Sequence, residues 1–107
     1  MGHGKEGRDL THLYAEALSH PLRILILRFS IKEGKASPAQ MSRGLNQDLP
    51  KVAYHTRVLA DHGLLRLATT RKVRGAIEHI YSPVESTLAH PVVMGALIEG
   101  EAPPSNG

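Results

Sequence analysis

Cysteine is absent from the 107 residues, so neither a disulfide nor a thiolate metal site is available and apolar packing alone must hold the chain. A reducing, cytoplasmic setting is the expected one. Long apolar runs are missing as well. The strongest, residues 22–29, is broken by Arg23 and Arg28 and falls far short of the roughly 20 residues that cross a bilayer. No membrane span and no signal peptide is therefore expected. Catalytic patterns are equally scarce: there is no glycine-rich phosphate loop, no HExxH and no nucleophile motif. Glu78 and His79, adjacent on a stretch that reads as a hairpin, point to opposite faces. Neither an enzyme nor a cofactor is expected.

What is present is basic charge in one place. The formal net charge is only +3, but residues 48–74 hold Lys51, Arg57, Arg66, Arg71, Lys72 and Arg74 against Asp48 and Asp61. Such clustering says more about a polyanionic partner than the total does. The length admits one domain with a modest core. We place it at residues 9–99, between tails at 1–8 and 100–107 that are too rich in Gly, Pro and charge to offset their ordering entropy.

Within 9–99 the apolar spacing predicts a first helix over 9–18, capped by Asp9. A second starts at Ser19 as N-cap, with Pro21 in its first turn, and ends at Gly34. Its two stripes, Leu22, Leu25, Ile26, Phe29 and Ile24, Leu27, Ile31, predict burial on two sides. Ser37-Pro38-Ala39-Gln40 is a capping box opening a short third helix over 38–43 that stops at Gly44. Asp48 precedes a fourth helix over 49–62, which Gly63 terminates. Residues 64–70 and 76–81 alternate like the strands of a hairpin whose tip, 71–75, is basic. A short last helix falls within 83–99, its spacing broken by Pro91. The predicted class is mainly α with a β-hairpin wing: about five helices and one hairpin in the order of a winged helix-turn-helix.

That order directs attention to the fourth helix. Each residue advances about 100° around the axis. Leu49, Val52, Ala53, Thr56, Leu59 and Ala60 then fall on one side, while Lys51, Tyr54, Val58 and, at the margin, Arg57 face outward. His55 flanks them and reads equally well as a contact or as a packing residue. A lysine, a phenol and a guanidinium near the helix start suit a DNA groove. Arg71, Lys72 and Arg74 read either as a solubilising turn or as a wing that holds phosphates or enters the minor groove. The amino end of the third helix, at Ser37 and Gln40, offers free amides to a phosphate.

Residues 18–24 (LSHPLRI) and 45–65 (LNQDLPKVAYHTRVLADHGLL) resemble the ArsR-like winged-helix regulators of bacteria, and RGAIEHIYSP resembles the wing of one subset. The resemblance covers residues 10–83. It implies a homodimer on a near-palindromic double-stranded operator, joined through the first and last helices, with repression relieved by a ligand whose identity the sequence leaves open. It also implies recognition-helix contacts from Lys51, Tyr54, His55 and Arg57 and wing contacts from Arg71, Lys72 and Arg74. Metal-sensing members use cysteines, or Asp and His pairs, that this chain does not reproduce; His90, Glu85 and Glu99 make no such set. The competing reading is a winged helix used only for protein contacts. RNA binding is disfavoured by the lack of stacking aromatics beyond Tyr54.

Overall fold

Proline at the first helical position and glycine just past the last one bracket the elements much as the residue types predict. In the computed structural model, which describes residues 3–99 with side chains from Leu10 onward, the order is α1 (His3–Ala17), α2 (Pro21–Glu33), α3 (Pro38–Leu45) and α4 (Leu49–Asp61). There follow β1 (Leu65–Val73), β2 (Ala76–Pro83), a 3-10 helix (Glu85–Ala89) and α5 (Pro91–Glu99). The amino-terminal segment expected as a tail is already helical from His3, and the carboxy-terminal one lies outside the described residues.

Asp9 lies inside α1, which starts at His3, and so does not cap it. Ser19 does not cap α2; its hydroxyl donates back to the Glu16 carbonyl at 2.8 Å. The cap is His20, whose Nδ1 accepts from the Leu22 amide at 3.2 Å. His90 repeats the arrangement on Val92 at 3.2 Å, so each His-Pro pair opens a helix. Pro91, expected to interrupt the last helix, begins it.

Gly44 is a further correction. It does not stop α3, which runs on to Leu45 and closes at Asn46 in the left-handed region (φ 55°). Glycine is needed there because a Cβ would fall on the ring of Phe29 from α2. Gly44→Ala is therefore expected to lower stability by about 1–2 kcal/mol, the overpacking outweighing the helix propensity gained. Thermal unfolding checks this, and the loss should shrink in a Phe29→Leu background.

The core lies between α2, α3 and α4, with Ile26, Leu27, Met41, Val52, Leu59 and Leu64 fully buried. α1 and α5 pack against one another at one side, where Tyr14 meets the His90 ring edge-on at 5.0 Å. Both stripes of α2 enter the core, one through Leu22 and Ile26 and the other through Leu27, and each leaves one residue exposed, Leu25 and Ile31. The strands are longer than predicted and antiparallel, with a register shift between Leu67 and Thr69. At its root the hairpin gains a third partner: Ala36 and Tyr81 exchange two backbone hydrogen bonds, each 2.9 Å, tying the wing to the segment between α2 and α3. Among the described residues no helix is long and apolar enough to cross a membrane.

Candidate nucleic-acid interface

The buried positions of α4 are Val52, His55, Thr56 and Leu59. They centre the inward face about 50° further toward His55 than an axis drawn through the aliphatic residues alone, given 100° per residue. Two consequences follow. Leu49, expected inside, is 46% exposed; His55, a candidate contact, is only 7% exposed. Of the outward set, Lys51, Tyr54 and Arg57 are exposed and Val58 is half-buried. Tyr54 retains 54% of its surface and leans edge-on against His55 at 5.0 Å.

His55 is held inside by specific partners. Arg23 of α2 approaches its Nδ1 at 3.0 Å, and because a guanidinium can only donate, Nδ1 accepts and the ring proton sits on Nε2. The same Arg23 donates to the Ala17 carbonyl at 2.6 Å and to that of Glu16 at 3.4 Å, satisfying the carboxy-terminal end of α1. The His20 ring lies tilted against that of His55, with centroids 4.2 Å apart. Burial first, then the neighbouring His20, Arg23 and Lys51, push the His55 pKa down from 6.5. Thus α1, α2 and the candidate recognition helix meet at one neutral imidazole.

The hairpin tip is shorter than the expected 71–75. Only Arg74 and Gly75 form the turn, with φ of 53° and 83°, the paired positive values of a type I′ turn. Arg71 and Lys72 belong to β1. The register sets Arg71 opposite Glu78, and they pair at 2.7 and 3.1 Å. Arg71 is thus engaged within the hairpin, while Lys72 and Arg74 stay exposed and make no ion pair among the described residues.

The phosphate site expected at the start of α3 is taken up by the chain itself. The capping box forms in full: Ser37 Oγ accepts from the Gln40 amide at 3.2 Å, and Gln40 Oε1 accepts from the Ser37 amide at 2.8 Å. Ser37 is completely buried. Ser37, then Arg71 and Arg43, hold the Glu78 carboxyl below its usual range.

Between α4 and the wing lies a groove of about 350 Å³ with Leu49, Ala53 and Arg57 on one wall and Ile77, His79 and Tyr81 on the other. The geometry thus brings Arg57 to the same recess as His79, which is not among the contacts expected from the sequence. The signal was the spacing of 77, 79 and 81, which places them on one face of β2.

Neither the protein-family models nor the curated proteins give a match to this chain. Solved structures do. The homodimeric winged helix-turn-helix DNA-binding domain (fragment 1–100) of Mb0332 from Mycobacterium bovis, a possible ArsR-family transcriptional regulator, superposes with a TM-score of 0.68 at 14% identity, over 100% of this chain and 94% of that one. NolR from Sinorhizobium fredii gives 0.62 at 21% identity, over 92% and 91%. Agreement that spans nearly the whole of each chain at such low identity is agreement of architecture, and the architecture of this chain is the winged helix-turn-helix.

Proposed function

We propose that the protein is a sequence-specific, double-stranded DNA-binding transcriptional regulator, a repressor acting as a homodimer on a near-palindromic operator. The observation that carries this reading is the outward face of α4, where Lys51, Tyr54 and Arg57 stand clear of the core beside a hairpin that ends in Lys72 and Arg74. Helix α4 enters the major groove and the wing holds phosphates or the adjacent minor groove. Pro50 at the start of α4 keeps the first turn helical where an amide hydrogen has no partner, leaving Lys51 and Tyr54 at the reading end. Arg71, Gln40 and Ser37 act behind this surface as supports of the hairpin and of α3, and His55 orients α4 from within.

Dimerisation is supported by the apolar surface left on α1 and α5: Leu10, Met94 and Ile98 are exposed, Ile98 at 66%. A run of this kind on two adjacent helices favours a second copy over solvent. The Mb0332 domain, described as DNA-binding and homodimeric, is built on the same fold.

A salt titration of duplex binding tests the reading. If Lys51, Arg57, Lys72 and Arg74 each neutralise a phosphate, log K falls against log salt with a slope of about −3 to −4 per protomer on random duplex DNA. A flat dependence would favour the protein-contact reading instead, since an interface without phosphates releases no counterions.

A further inference from the structure

We infer that the cleft between the end of α2 and the root of the hairpin is a binding site for a small organic carboxylate with an apolar body. The cleft measures about 830 Å³ and is remote from the outward face of α4. This falls within the range of small-molecule sites. Lys35 follows α2 on one side and Arg66 opens β1 on the other. Neither makes an ion pair with a described carboxylate. Against these two cations the lining holds one acid, Glu85, so the site favours a single negative charge.

A second, independent feature points to the same occupant. Ser82 lines the cleft and is 8% exposed, and its Oγ, shielded from bulk water, has no hydrogen-bond partner among the described residues. Buried polar atoms in folded proteins are nearly always partnered, and an exception calls for an explanation. Ser82 is the cross-strand neighbour of Arg66, so both side chains lie on one face of the hairpin. A χ1 rotation of Ser82 would turn its hydroxyl toward a carboxylate reached by Arg66. Ile31 and Leu88 supply apolar wall for the rest of the molecule.

The site is placed to act on the wing. Ala68, in the same lining, sits at the register shift between Leu67 and Thr69, where β1 slips against β2. Drawing Arg66 toward a ligand fixes the twist of the hairpin at its most adaptable point. This coupling rests on the DNA-binding reading, whereas occupancy of the cleft does not.

Titration calorimetry and amide NMR on the full chain, with benzoate and hexanoate as probes, test the assignment. Their amides, benzamide and hexanamide, serve as uncharged counterparts. Expected is saturable binding of at least one carboxylate, weaker by about tenfold for its amide and in both Arg66→Gln and Lys35→Gln. Shifts should centre on Lys35, Arg66, Ser82 and Ser86. The assignment is overturned if neither carboxylate saturates, or if binding ignores both substitutions and the change to amide. Repeating the duplex titration with the bound carboxylate present separates the two readings. Altered DNA affinity supports the coupling, unaltered affinity removes the coupling, and carboxylate binding by a chain that ignores DNA overturns the regulator reading alone.

Discussion

Arg23→Ala is expected to lower the unfolding free energy by about 2–3 kcal/mol, roughly what charge-assisted hydrogen bonds at a partly buried site contribute. The substitution strips the Ala17 carbonyl of its 2.6 Å donor and leaves His55 Nδ1 without one. Lysine should not rescue it, since a single ammonium cannot span an imidazole on α4 and two carbonyls on α1. Chemical denaturation gives the value directly, and a loss below about 0.5 kcal/mol, the level of an ordinary surface change, would show that these contacts carry no weight.

The same cluster predicts a pH dependence. The folded-state pKa of His55 lies below the ordinary 6.5. Between the two values the unfolded chain therefore binds more protons than the folded one. This contribution to stability is complete above 6.5 and is lost as the pH falls through the folded value. Protonation also places a second donor against Arg23 and His20 from α2 and beside Lys51 from α4. In His55→Gln the slope of stability against pH just below 6.5 should flatten. An unchanged slope would assign the effect to another histidine.

At the DNA surface the largest contrast is expected between Tyr54 and Arg74. Tyr54→Ala should reduce discrimination between the selected operator and random duplex by about tenfold or more, since a side chain at the reading end of α4 addresses base edges. Arg74 is best replaced by Asn, because its φ of 53° is tolerated by Asn and the resulting Asn-Gly is the preferred type I′ pair. Arg74→Asn should weaken binding to all sequences alike and reduce the salt slope by about 1, while stability holds or rises. Mobility-shift assays at several salt concentrations read both. If Tyr54→Ala weakened operator and random DNA equally, α4 would not be the reading element.

Local chemistry was legible wherever a residue acts on its near neighbours. The Ser37 and Gln40 capping box forms both its bonds, Pro21 and Pro38 take first positions in their helices, and Gly34 and Gly63 adopt positive φ past helix ends. The helix order and the hairpin follow from the same kind of signal. Less legible were features that depend on residues far apart in the chain. His55 reads equally well as a contact or as a packing residue until Arg23, 32 residues away, is seen to satisfy it. Gly44 reads as a stop because Phe29 approaches it from a different helix. The pairing of Arg71 with Glu78 depends on strand register, which changes once the turn is two residues rather than five. The caps formed by His20 and His90 were not legible, because histidine is an uncommon cap and ranks below serine on propensity.

The Ala36 and Tyr81 pairing bears on how the binding measurements are to be interpreted. Its two bonds run between main-chain amides and carbonyls, with no ionisable group involved. In the proposed complex, added electrolyte would shield Lys72 and Arg74 from phosphate without slackening the strap that fastens their hairpin to the body. The slope of a salt titration on that complex would then count displaced counterions at a platform of constant shape, and a proline at residue 36 or 81, which removes one of the two amide hydrogens, would weaken the strap.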